Sequence, residues 1–133
     1  MNATALRQID QSVLDRIHAA VGDAGIITDE NDKSPYLHDE RGYYTGASPM
    51  VVRPSSTEEV AAIVAICNET GTPIVPQGGN TGLCGGATPY EHGGEILMSL
   101  TRMNRVREID VLNYAITVEA GVILADVQKA AEE

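Results

Sequence analysis

Apolar residues recur along this chain at two spacings, and each spacing marks a type of element. Val13, Leu14, Ile17, Ala20 and Val21 fall on one face at helical period. They predict a helix over 10–22, with Asp10 as N-cap and Gly22 or Gly25 to close it. Ile26-Ile27-Thr28 reads as a short extended piece, and Met50-Val51-Val52-Arg53 as a short buried strand stopped by Pro54. Ser56-Thr57-Glu58-Glu59 forms a capping box, in which Ser56 accepts from the Glu59 N–H and Glu59 reaches back. Val60, Ile63, Val64 and Cys67 then repeat at helical spacing with alanines between them, and Gly71 is placed to end the helix. Thr72-Pro73-Ile74-Val75 is the next strand, so that strand, helix and strand predict a right-handed crossover between parallel strands.

A third strand, Glu95 to Leu100, carries a continuous apolar run of the kind buried on both faces. Val106 to Val111 and Tyr114 to Glu119 read as two further strands with Asn113 in the turn. Alternation along the second puts Tyr114, Ile116 and Val118 on a face expected to be buried. Leu124, Val127 and Ala131 mark a last helix. The fold class predicted is α+β: a small parallel βαβ sheet flanked by helices, followed by the start of an antiparallel sheet. Residues 29–49 are polar and irregular, with Ser34-Pro35 able to start a helical turn, and are expected to be a surface connection. The expected division is therefore 1–49, a helix and connecting segment, and 50–133, the main domain.

Charge narrows the partners. The formal net charge of the 133 residues is −10, which argues against nucleic acid, since phosphate backbones are bound by clustered Lys and Arg. No apolar run approaches the roughly 18 residues that span a bilayer, and Met1 to Arg7 lacks the apolar core of a secretory signal. Cys67 and Cys84 show no Cys-x-x-Cys spacing, so no disulfide is predicted and a cytoplasmic location is expected. His18, His38 and His92 have no spacing that suggests a metal site.

Candidate chemistry concentrates in Pro76-Gln77-Gly78-Gly79-Asn80-Thr81-Gly82-Leu83-Cys84-Gly85-Gly86. A strand that runs into a glycine-rich loop can present a row of peptide N–H groups to an anion. Between Arg53 and Arg102 there is no Lys or Arg, so local sequence offers an anion peptide dipoles and not a charged clamp. Two phosphate loops are excluded. The Walker A pattern ends in Gly-Lys-Ser/Thr, and the loop has no Lys; the dinucleotide fingerprint needs Gly-x-Gly-x-x-Gly opening a helix, and no Gly-x-Gly occurs here. The competing reading is a mobile surface loop that happens to be rich in glycine.

The run from Pro76 to Leu83, followed by Gly85-Gly86, resembles the FAD pyrophosphate loop of the vanillyl-alcohol-oxidase-like (PCMH-type) flavoproteins. Within them it is most similar to the FAD-linked dehydrogenases of D-2-hydroxy acids: D-lactate dehydrogenase, D-2-hydroxyglutarate dehydrogenase and the glycolate oxidase flavin subunit. The similarity extends from Met50 to about Glu132, through Met103-Asn104-Arg105-Val106 and Glu119-Ala120-Gly121-Val122.

The resemblance implies FAD as cofactor, with Pro76, Gln77, Gly78, Gly79, Asn80, Thr81, Gly82, Leu83 and Gly86 as its contacts, and Pro54 and Ala120-Gly121 as weaker candidates. Relatives with covalent flavin often carry histidine where Asn80 stands, so FAD is expected to be non-covalent. The implied reaction oxidises a 2-hydroxy acid to the 2-oxo acid. The family's catalytic histidines, metal ligands and carboxylate-binding arginines match nothing in these residues, so no catalytic or metal residue is assigned. The chain is expected to be an N-terminal piece of a longer flavin domain, inactive alone and prone to self-association through apolar surface along Tyr114, Ile116 and Val118. The alternatives are a stand-alone nucleotide-binding module without catalysis and the flavin domain of a sugar- or cell-wall-precursor oxidoreductase.

Overall fold

A computed structural model describes residues 8–132; Met1 to Arg7 and the terminal Glu133, which the sequence reading placed in the last helix, lie outside them. The order of elements is α1 (Gln11–Val21), β1 (Ile26–Ile27), α2 (Glu30–Lys33), β2 (Val51–Val52), α3 (Thr57–Thr70), β3 (Ile74–Gln77), β4 (Ile96–Ser99), β5 (Val106–Asp110), β6 (Ala115–Val118) and α4 (Leu124–Glu132). The first four strands form one sheet in the order β1-β2-β4-β3, and β5 and β6 form a separate antiparallel pair. This is the α+β arrangement expected.

Register in the main sheet decides what each side chain meets. β2 and β3 both run parallel to β4, with Val51 opposite Leu97 and Gln77 opposite Ser99. The crossover through α3 therefore links parallel strands that are not neighbours, because β4 inserts between them. Side chains of period two sort onto two faces. Val52, Ile96 and Met98 meet Val13, Ile17 and Val21 of α1 and Ile63 and Cys67 of α3. Val51 and Leu97 point the other way, onto Leu37 and the partly buried Tyr36. β4 is thus buried along its whole length, as its apolar run predicts. Truncating Ile63, which is fully buried between α1 and the sheet, falls in the class that costs about 2–5 kcal/mol.

Several local expectations are corrected. Ser56 caps α3 through the Glu59 N–H (3.2 Å), but the Glu59 carboxylate reaches Ser55 N (2.7 Å), one residue before the cap. Gly71 ends α3 in the left-handed conformation (φ 66). Val64 is 45% exposed, and Ile66 packs on the core instead, because α1 covers only one side of α3. Ser34-Pro35 starts a 3-10 turn over Ser34–Tyr36, as expected, and an unforeseen helical turn, α2, precedes it, capped by the Asp29 side chain on the Asn31 and Asp32 N–H groups. Pro76 and Gln77 belong to β3 and not to the loop; Pro76 is tolerated because β3 is an edge strand.

The β5–β6 pair lacks the buried face that alternation suggested. Tyr114 sits in the turn with φ 51 and is 97% exposed, while Ile116 and Val118 are half-buried. Glu119, expected on the outward face, is 4% exposed. Its carboxylate accepts from Arg105 N (3.0 Å), Arg105 Nε (3.1 Å) and Nη2 (2.8 Å), and Arg107 Nη2 (3.2 Å). Gly121 follows so closely on the main sheet that a Cβ there would collide with the Leu100 carbonyl. Among the described residues no helix is long and apolar enough to cross a membrane.

The Arg105 side chain, then its peptide N–H and the Arg107 guanidinium, pull the Glu119 carboxyl down to about 2 against the opposing effect of burial. A carboxyl depressed by folding stabilises the fold above its ordinary range and loses that contribution as pH falls toward 2. Unfolding by denaturant at a series of pH values should show this loss in the parent protein. Glu119→Gln should be less stable at neutral pH, and its deficit should shrink across the same acid window.

Candidate glycine-loop anion site

The loop leaves the sheet at the carboxyl end of β3, beside the end of β4, where Leu100 N donates to Gln77 O (2.9 Å). Parallel sheets bind ligands at this end. Register places Gln77 on the face covered by the Tyr36-Leu37 segment, and its amide is 2% exposed. Gln77 Nε2 donates to Tyr36 O and to Ala87 O, both at 2.9 Å, joining the start of the loop to its far flank. Asn80 takes the left-handed conformation (φ 54), and its Nδ2 donates to His38 O at 2.8 Å. Gly85, at φ 72, lies under the Tyr44 ring, which a Cβ would meet at 2.7 Å.

The remaining glycines are different. Gly78, Gly79, Gly82 and Gly86 have no positive φ, and a Cβ on any of them would meet nothing within 4 Å. Neither backbone conformation nor packing within the described residues requires glycine at these positions. Nor does any peptide N–H from Gly78 to Ala87 donate to an acceptor among the described residues. The loop therefore offers unclaimed donors flanked by vacant side-chain positions. Of the two arginines that bracket the loop in sequence, Arg102 turns its guanidinium to the Arg53 carbonyl (2.8 Å). An anion here would be held by peptide dipoles, as in backbone nests.

Two hollows border the loop. One of about 750 Å³ is lined by Cys84, Gly85, Gly86, Tyr44, Tyr90 and Glu95 among others. A smaller one of about 240 Å³ lies between Gly79-Asn80 and His38-Asp39. Asp39 is buried and closes the 39–44 turn, its Oδ1 accepting from Tyr44 N at 2.8 Å. That peptide N–H, foremost among several, holds its carboxyl below the ordinary aspartate range. His92 is exposed and accepts from Gly94 N through Nδ1 (2.9 Å). Cys84 is exposed, Cys67 is buried, and both are free thiols.

Of the residues predicted for the site, Gly78, Gly79, Asn80, Thr81, Gly82, Leu83 and Gly86 lie together on the loop, exposed except for the half-buried Asn80. Gln77 stands beneath it as an internal brace. Pro76 is the strand residue before it, its side chain exposed. Gly121 comes near through Leu100. Pro54 is buried just after β2. Sequence reasoning missed the part played by Tyr36, His38 and Tyr44. Two of these contribute backbone carbonyls, which leave no mark on residue type.

The glycines that fold and those that stay open should respond differently to alanine. At Gly79, with ordinary φ and open space, Gly→Ala should leave thermal stability unchanged or raise it by about 0.4–1 kcal/mol. At Gly85, with positive φ and Tyr44 in the way, it should lower stability by more than that. Calorimetry on the two variants checks the assignment.

Residues 48–133 match a family described as FAD binding domain. The chain is 39% identical over 109 residues to D-lactate dehydrogenase of Anaerostipes hadrus, covering 81% of this chain and 22% of that protein. It is 41% identical over 97 residues to glycolate oxidase subunit GlcD of Bacillus subtilis, covering 73% of this chain and 20% of that protein. A probable mitochondrial D-2-hydroxyglutarate dehydrogenase of Oryza sativa is 38% identical over 112 residues, covering 84% of this chain and 20% of the other. The chain thus spans about a fifth of the curated relatives it matches. Among solved structures, alkyldihydroxyacetonephosphate synthase superposes with a TM-score of 0.82 at 18% identity, over 94% of this chain and 25% of that one. Substrate-bound p-cresol methylhydroxylase does so with 0.77 at 25% identity, over 92% and 24%. The chain belongs to the FAD-binding domain family of FAD-linked oxidoreductases.

Proposed function

We propose that the loop from Gly78 to Gly86 cradles the pyrophosphate of a non-covalently held FAD, in an oxidoreductase that oxidises a D-2-hydroxy acid to the 2-oxo acid. The observation that carries this reading is the stretch of unclaimed peptide N–H groups beside glycines whose side-chain space is empty. A diphosphate presents several acceptor oxygens in a row, and peptide N–H groups can approach them only where no Cβ intervenes. The family match supports the cofactor, and the names of the relatives, D-lactate and D-2-hydroxyglutarate dehydrogenase, support the substrate class.

When bound, the flavin would supply the hydride acceptor for the alcohol. This chain's own residues bind and orient it. The main sheet fixes the loop entrance through Gln77, and the loop supplies donors that need no reorganisation of a charged side chain. Nothing in the loop could attach the flavin through a histidine, since Asn80 occupies that position and spends its amide on His38 O. The residues that would remove the hydroxyl proton and bind the substrate carboxylate are not assigned to this chain. A nucleotide-binding module without a reaction of its own differs from the proposed enzyme in one respect: its bound flavin would not be reduced by any D-2-hydroxy acid.

Titration with FAD, followed by quenching of flavin fluorescence, tests the cradle in the protein as expressed from its gene. ADP should compete with FAD because it carries the diphosphate, and FMN should compete poorly. At a hundredfold excess over Kd, FAD should raise unfolding free energy by about 2.7 kcal/mol. Gly79→Val should abolish binding while leaving the circular dichroism spectrum unchanged. Full flavin retention by that variant would remove the loop from the site.

A further inference from the structure

We infer that the segment from Tyr36 to Ala47 is a brace that holds the glycine loop in its ligand-ready shape before the ligand arrives, and that Asn80 is the positioning residue of this brace. The inference rests on the FAD reading above and goes beyond it, because the segment lies outside the residues 48–133 that match the family.

A loop with this many glycines has large conformational freedom, and fixing it costs entropy that a ligand must otherwise supply. The structure fastens it at three places to the same segment. At its start, Gln77 Nε2 donates to Tyr36 O; in its middle, Asn80 Nδ2 donates to His38 O; near its end, Gly85 packs under the Tyr44 ring. The open glycines Gly78 and Gly79, Gly82, and Gly86 lie between or beside these anchors. The segment is itself rigidified. His38 bridges Thr45, Asp39 exchanges bonds with Tyr44 through both its backbone and its carboxylate, and Ala47 N donates to Tyr90 O at 3.1 Å beyond the loop. Leu37, buried on Val51 and Leu97, ties it to the sheet.

Asn80 is the anchor whose side chain is engaged by the brace alone. Gln77 is buried in the sheet face, so its loss would disturb the fold as well as the loop. Asn80 is half-buried and touches the brace through one hydrogen bond of its side-chain amide. It also holds φ 54, a left-handed conformation that asparagine tolerates better than most residues. The hydrogen bond to the His38 carbonyl selects that conformation from those the loop could visit. When only a fraction of molecules holds the binding shape, apparent affinity falls by that fraction.

Asn80→Gly separates the parts, since glycine keeps access to positive φ but removes the amide. The test is nitrogen-15 relaxation of the loop amides without ligand, together with FAD affinity and melting temperature. In the parent protein, heteronuclear NOE values for Gly78 to Leu83 should approach those of β3 and β4. In Asn80→Gly they should fall, FAD Kd should rise roughly two- to tenfold, and Tm should drop by only a few degrees, as one lost hydrogen bond implies. Asn80→Ala should bind more weakly still. Unchanged NOE values in Asn80→Gly would overturn the brace. A weaker Kd accompanied by falling NOE values in β3 and β4 as well as in the loop would overturn the positioning role in favour of general destabilisation. Absence of FAD binding by the parent would refute the flavin reading, and the relaxation comparison would still decide whether the brace exists.

Discussion

A parallel strand must have both faces covered, and the cover found for β4 organises this molecule. Helices α1 and α3 supply one layer through Val13, Ile17, Ile63 and Cys67. On the other face, no α-helix supplies that layer in the cluster around Val51 and Leu97. Leu37 and Tyr36 fill that role, which draws an otherwise polar segment across the sheet. Once that segment is in place, its carbonyls lie within reach of Gln77, the strand residue that register turns toward them. The same packing that stabilises the sheet therefore delivers acceptors to the base of the glycine loop. Core burial and loop geometry are one construction.

The loop solves an electrostatic problem by local means. The chain carries a formal charge of −10 and has no Lys or Arg from residue 54 to residue 101, so the general field of the molecule opposes an anion. Peptide dipoles act at short range and are not cancelled by carboxylates farther away, which solvent screens. Asp39, the buried carboxylate beside the loop, accepts through Oδ1 from Tyr44 N of its own turn, while its Oδ2 has no partner among the described residues. Glu119 is neutralised by Arg105 and Arg107. Both acidic groups are thus tied into the frame that carries the loop.

Much of this was legible in the sequence. Ser56 and Gly71 bracket α3 to the residue because capping is local chemistry, and the apolar run of β4 announces burial on both faces. The glycine loop stands out by composition and by its resemblance to a known cofactor loop. Other features were not legible, for stated reasons. The insertion of β4 between β2 and β3 is a matter of topology that periodicity does not encode. Pro76 and Gln77 read as loop because proline seldom continues a strand, and only the edge position of β3 permits it. Val64 shares helical spacing with the core but faces the side of α3 that α1 leaves open. The buried state of Glu119 depends on Arg107 of the neighbouring strand and Arg105 just before it, and its position in the alternation gave the opposite expectation. The brace was hidden because its acceptors are backbone carbonyls.

The central claim is that the peptide N–H groups from Gly78 to Ala87 have no acceptor among the described residues and become donors to FAD. Hydrogen exchange of those amides, measured with and without FAD, tests it most directly. The account predicts rapid exchange without ligand and strong slowing in the flavin-bound protein, confined to the loop and its immediate neighbours. Protection of the same amides in the absence of any ligand, or exchange that stays rapid while flavin is bound, would contradict it.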